Sequence, residues 1–378
     1  MRKLVLIPDS FKGTMASWEI CDILEGVVKS LDPACQVVKL PVADGGEGSV
    51  DAFLRAMGGR RVELRVKGPY FQEVPAFYGL VDGGRTAVVE MAACAGLPLV
   101  GEDKRPDQTT TYGVGQLIAH AISQGARRVV LGLGGSATND MGCGMAAALG
   151  VRFLDETGAS FIPVGGNLSR IRRVELDGRL ASLAQVELVA MCDIDNPLYG
   201  PRGAAHVFAP QKGADEALVR RLDEQLRLGS SAVERCLGQR LADAPGAGAA
   251  GGMGFGAAAF LGFRLQMGIE TVLETVGFAS QLQGADLVIT GEGKLDSQSL
   301  RGKVVFGVAK AAKAAGVPVV ALVGDIEDPI DAMYGQGLTA ALSINRVAVP
   351  YSKAKLRARE DLARTMESLL RLLALGGL

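Results

Sequence analysis

Met1-Arg2-Lys3-Leu4-Val5-Leu6-Ile7-Pro8-Asp9-Ser10-Phe11-Lys12-Gly13-Thr14 opens the chain, and its reading decides the fold. The apolar run at 4–7 is too short for the hydrophobic region of a signal peptide and stops at Pro-Asp, so it reads as a buried strand. Residues 18–31 follow with helical spacing at Ile20, Ile23, Leu24, Val27, Val28 and Leu31. A second strand is expected at 37–42 and a second helix at 49–57, ended by Gly58-Gly59. Strand and helix alternate, with polar loops at the strand ends. This is the pattern of a parallel sheet covered by helices.

Further along, alternating strands are expected at 62–66, 75–81 and 86–90, with a domain boundary near 60–70. A helix at 113–124, a strand at 128–133, a helix at 138–149 and a strand at 151–154 resume the βαβ texture. Strands near 186–191 and 204–208 precede a helix at 214–237. Beyond it come a helix at 269–275, a strand at 287–289, a helix at 303–315, a strand at 319–323 and a last helix at 352–375. The same texture at both ends suggests one domain built from both termini, with the middle inserted.

Composition narrows the function. The 378 residues carry 40 Lys plus Arg against 41 Asp plus Glu, a net charge of −1. No basic excess exists to neutralise a nucleic-acid backbone. The longest uncharged stretch, 244–263, is mostly Gly and Ala, so no membrane segment is expected. Six cysteines without a C-x-x-C pair and only two histidines speak against structural zinc and suit a reducing cytoplasm. The 51 glycines lack a three-residue period, which leaves tight turns and backbone-lined loops.

Six loops carry polar chemistry. Asp9, Ser10 and Lys12 follow the first strand, where open α/β sheets bind ligands. Asp44-Gly45-Gly46-Glu47 follows the second, and its two carboxylates could hold Mg²⁺. Gly132-Leu133-Gly134-Gly135-Ser136-Ala137-Thr138-Asn139-Asp140 can cradle an anion on backbone N–H groups. It also fits G-x-G-x-x-A, with Asp155 after the next expected strand, the spacing of a dinucleotide fingerprint. Cys192-Asp193-Ile194-Asp195 offers a general base or a metal ligand. The run 246–256 contains G-x-G-x-x-G but no preceding strand, and reads as a hinge or a nucleotide-edge loop. Gly291-Glu292-Gly293-Lys294-Leu295-Asp296 places a cation between open glycines and acids, as phosphoryl transfer requires. Each loop alone is also compatible with an ordinary cap or turn. With few histidines, the set favours metal-assisted phosphoryl transfer. An NAD-dependent dehydrogenase and a non-catalytic nucleotide or phosphometabolite sensor stay open on these residues alone.

The strings PDSFKG, ADGGEG, GLGGSATND, DIDNPLYG, APQKGA, GGMGFG and TGEGKLDSQSLRGKV, in this order over essentially the whole chain, closely resemble the class I glycerate kinases. The resemblance implies phosphorylation of D-glycerate by ATP with Mg²⁺, giving 2-phosphoglycerate. It implies two α/β domains: a discontinuous restriction-endonuclease-like core at 1–65 plus 285–378, and an inserted flavodoxin-like domain at 66–284. On this reading Gly134, Gly135, Ser136 and Asn139, with Asp9, Ser10, Gly291 and Gly293, bind phosphate or substrate. Lys294 and Lys12 neutralise charge, Asp193 is the base, and Asp44, Glu47 and Asp296 place Mg²⁺. Two departures stand out: Met141 where Gly is expected, and Asp195 where a smaller or uncharged residue is more usual.

Overall fold

Five parallel strands run side by side in the order Ala340–Ser343, Val319–Val323, Leu287–Gly291, Lys3–Pro8 and Gln36–Lys39. The computed structural model that shows them describes residues 1–42, 48–102, 104–296, 303–327 and 329–375. The chain divides into two compact units. One comprises Met1–Asp44, Asp51–Met57 and Gly268–Leu378, and the other Gly45–Val50 and Gly58–Met267.

The five-stranded sheet belongs to the first unit. Its three central strands are buried on both faces, as a helix-covered parallel sheet requires. Leu4, Leu6, Leu287 and Ile289 pack on one face with Ile20 and Leu24 of helix Ser17–Leu31 and Leu362 and Met366 of helix Tyr351–Leu375. Helix Val304–Ala314 packs against the same strands and buries Val305 and Val308. Numbered by appearance in the chain, the strands lie in the order 2-1-3-4-5, the flavodoxin order. That order was expected in the inserted segment and is found instead in the discontinuous unit. The reason is that the third to fifth strands come from the chain's last hundred residues and add on one side of the first strand.

The second unit holds a six-stranded mixed sheet. Arg264–Gln266, Glu187–Met191, Arg128–Gly132 and Thr86–Glu90 are parallel, and Glu73–Val81 and Arg60–Lys67 extend it antiparallel. Two expectations fail here. Residues 204–208 form a helix, Ala204–Phe208, whose buried Ala204 and Ala205 pack towards helices Glu216–Leu237 and Ala249–Leu261. The helix expected from residue 138 begins only at Cys143, because Met141 and Gly142 turn the backbone at φ 58° and 70°. The Gly/Ala run, read as a hinge or a nucleotide-edge loop, enters helix Ala249–Leu261 through three residues of positive φ and is almost wholly buried. Among the described residues, no helix is long and apolar enough to cross a membrane.

Candidate functional site

In the first unit, strands Lys3–Pro8 and Leu287–Gly291 are neighbours whose connections leave in opposite directions across the sheet. Loops that part at such a switch point leave a crevice at the strand C-termini. Here the Asp9 N–H donates to the Gly291 carbonyl at 2.8 Å, which carries the pairing to its last residue. The loops Asp9–Lys12 and Glu292–Lys294 then line one cavity of about 530 Å³, joined by Lys303, Gly324, Ile344 and Tyr351. Gly291 has to be glycine, since a Cβ there would lie 2.1 Å from the Leu322 carbonyl oxygen.

The charges in this crevice are paired across loops. Lys294 forms an ion pair with Glu327, which holds its ammonium above the usual lysine range. Lys303 lies 3.6 Å from Asp296 and 3.9 Å from Glu292. Asp9 and Glu292 are buried, and the Ser10 N–H donates to Asp9 Oδ1 at 2.6 Å.

In the second unit, the loop after strand Arg128–Gly132 encloses a polar interior. Lys212, fully buried, donates from Nζ to Ser136 Oγ at 2.8 Å and to the Thr138 carbonyl at 2.6 Å. Burial pulls its pKa down to about 7, against the opposing charge of Asp140. Asp140 accepts from the Thr111 N–H and hydroxyl, both at 2.8 Å, and from the N–H groups of Gly142 and Gly144 at 3.1 and 3.2 Å. Burial raises its pKa while these four donors lower it, and the net shift is upward. Asn139 is wholly buried, and its amide oxygen and nitrogen have no hydrogen-bond partner among the described residues. A buried amide without partners costs free energy that a bound ligand or water can recover.

The residues singled out in the sequence fall into two groups. Asp9, Ser10, Lys12, Gly293 and Lys294 line the crevice of the first unit, with Gly291 and Asp296 beside them. Gly134, Gly135, Ser136 and Asn139 share one loop of the second. Asp193 is exposed on the loop after strand Glu187–Met191, and Asp195 pairs with Arg202 at 3.3 Å. Asp44 and Glu47 lie outside the described residues. The dinucleotide reading fails on topology. Ten residues separate strand Arg128–Gly132 from helix Cys143–Ala148. Strand Arg152–Leu154 pairs antiparallel in a separate three-stranded sheet, and Asp155 is taken up by Thr157 and Arg170. Sequence reasoning passed over Lys212 and gave Asp140 no role, although both stand in quoted strings. Lys212 carries no signal of its own: Asp215 and Glu216 follow it at i+3 and i+4, the charged neighbours of a solvated lysine.

Residues 4–374 match the family model described as the glycerate kinase family. The glycerate kinase of Bacillus subtilis strain 168 is 47% identical over 364 residues, covering 96% of this chain and 95% of that protein. The glycerate 2-kinase of Escherichia coli K12 is 39% identical over 375 residues, 99% and 98% of the two chains. A crystal structure of a candidate glycerate kinase 2 from Salmonella typhimurium LT2 superposes with a TM-score of 0.90 at 38% identity. It covers 100% of this chain and 99% of that one.

Proposed function

The chain belongs to the glycerate kinase family, and from that premise we propose that it transfers the γ-phosphoryl group of ATP to the C2 hydroxyl of D-glycerate. The products are 2-phosphoglycerate and ADP. The observation that carries this reading is the end-to-end likeness to a glycerate 2-kinase, 39% identical over 375 residues. The glycerate C2 oxygen bonds to the γ-phosphorus, the bond from that phosphorus to the β,γ-bridging oxygen breaks, and ADP leaves with the electron pair. The hydroxyl proton passes to a carboxylate, for which the exposed Asp193 is the proposed acceptor. A loose phosphoryl-transfer transition state needs alignment and charge stabilisation more than full deprotonation.

Gly134, Gly135, Ser136 and Asn139 are the proposed anion cradle, with Lys212 fixing the loop that carries them. Lys12 and Lys294 neutralise phosphate or carboxylate charge, and Asp9, Ser10, Gly291 and Gly293 shape the crevice that receives it. Asp296 and Glu292 flank Lys303, two carboxylates beside one ammonium. Such a pair suits Mg²⁺, which binds through one or two carboxylates plus phosphate oxygens. Among the described residues no three His, Cys, Asp or Glu side chains are grouped to hold a metal alone, so phosphate oxygens would complete the set. Asp44 and Glu47 join this proposal from their motif. Bound there, the ion would offset charge on the phosphoryl oxygens.

The organisation proposed is a discontinuous α/β domain carrying an inserted α/β domain. The enzyme is taken to be cytoplasmic, with a small-molecule substrate and no nucleic-acid or membrane partner, in keeping with its net charge of −1. The test is a coupled assay. Product from D-glycerate and ATP should feed enolase directly. If enolase stays idle until phosphoglycerate mutase is added, the C2 assignment is wrong and the product is 3-phosphoglycerate.

A further inference from the structure

Resting on the kinase reading, we infer that the switch-point cavity of the five-stranded sheet is the nucleotide site. The nucleoside lies against the end of the final helix, and the phosphates lie on the lysines at the sheet centre. Size comes first. A cavity of about 530 Å³ is far larger than a three-carbon acid needs and falls in the range of nucleotide-sized pockets.

The lining is divided in the way a nucleotide is. Lys12 and Lys294 stand at the C-terminal ends of the adjacent first and third strands, and Lys303 is the N-cap of helix Val304–Ala314. The apolar wall comes from the far edge: Ile344 follows the edge strand Ala340–Ser343, and Val349, Tyr351 and Ala354 lead into helix Tyr351–Leu375. First and edge strands are three positions apart in the sheet. At ~4.8 Å per strand the sheet is roughly 14 Å across between them, and Tyr351 reaches back over it to the loop of Thr14, so ring and lysines border the same cavity.

Tyr351 is built as a stacking platform. It is 67% exposed, yet its hydroxyl hydrogen-bonds Thr14 Oγ1 at 3.2 Å, so the ring is held while its surface stays open. Aromatic faces bind bases without needing an edge-specific partner. Four lysines (Lys12, Lys294, Lys303 and Lys355) meet three carboxylates (Asp9, Glu292 and Asp325) in the lining. That balance suits a polyphosphate accompanied by a divalent ion.

The experiment uses the full chain with ADP as probe. Calorimetric titration of Tyr351→Ala and Lys355→Glu should give an ADP Kd raised about tenfold or more, a loss of about 1.4 kcal/mol. The D-glycerate KM at saturating ATP should stay within about twofold, the spread expected when glycerate contacts are untouched. Both residues are exposed, and unchanged thermal midpoints will confirm folding. As a measurement free of substitutions, ADP should slow amide exchange in residues 9–12, 292–294 and 344–355. Wild-type ADP affinity in both variants, or protection confined to residues 133–140, overturns the assignment while the kinase reading stands. If the wild-type chain neither binds ADP nor phosphorylates glycerate, both readings fall together.

Discussion

Lys212 Nζ donates to Ser136 Oγ at 2.8 Å across 76 residues of sequence, inside a part of the second unit where the lysine is 2% exposed. A buried ammonium is costly, and burial has lowered this one from 10.5 to about 7. Between those values the unfolded chain binds more protons than the folded one. Stability from this group therefore rises with pH through the window, is complete above about 10.5, and is lost as pH falls to about 7. The slope approaches about 1.4 kcal/mol per pH unit within the window. Denaturant melts of wild type and Lys212→Met should diverge as pH rises from about 7. Parallel curves would mean that the lysine stays charged when folded.

Met141 sits at φ 58° with its side chain fully buried, where the glycerate kinase resemblance led us to expect glycine. Outside glycine, this left-handed conformation costs about 1–2 kcal/mol. Truncation to Ala or to Gly removes the same packing beyond Cβ, so comparing the two isolates the backbone. We expect Met141→Gly to be more stable than Met141→Ala by about 1 kcal/mol, the reverse of the usual order. Urea unfolding midpoints decide it, and a more stable Ala variant would refute the strain argument.

Gly251 supports the polar loop from behind. At φ 71°, a Cβ would lie 2.0 Å from the Thr138 carbonyl oxygen and 2.6 Å from Asn139 Cα. Gly251→Ala should therefore destabilise by about 2 kcal/mol or more through backbone strain and overpacking. It should also weaken activity beyond what the lost folding explains, because the carbonyl it displaces is one that Lys212 holds. Full activity in the folded fraction would leave Gly251 a packing residue only.

What could be read beforehand follows from range of interaction. Strands at Lys3–Pro8, Leu287–Gly291 and Val319–Val323 announce themselves because a strand buried on both faces reads as a near-continuous apolar run. The crevice loops followed, since a polar residue directly after such a strand has few other places to go. Lys212 was illegible because its burial depends on Ser136 and Thr138, more than seventy residues away. The helix expected from residue 138 was misread because Cys143–Ala148 is a good helix former whose start is set by Asp140. That carboxylate takes the N–H groups of Gly142 and Gly144, a choice local propensity cannot register. Ala204–Phe208 is a short, largely apolar run that fits either element by periodicity, and it packs as a helix against its two helical neighbours.

Lys294 gives the sharpest test of the proposed chemistry. Its ammonium is held by Glu327, and it is half-exposed. A phosphate arriving in the crevice would take it from one carboxylate to a more highly charged partner. If that charge stabilises the transferring phosphoryl group, Lys294→Ala should lower kcat by ~10²–10³, the scale for one lost electrostatic stabiliser. Stability should change little, since an exposed ion pair is screened by solvent. Asp296→Asn should act differently. It keeps an oxygen ligand and loses a charge, so the Mg²⁺ concentration for half-maximal rate should rise while saturating Mg²⁺ restores much of kcat. The two variants thus separate cation from metal ligand. Near-wild-type kcat in Lys294→Ala, with unchanged thermal midpoint, would reduce the lysine to a solvated partner of Glu327. Lys12, at the end of the neighbouring strand, would then carry the phosphate charge.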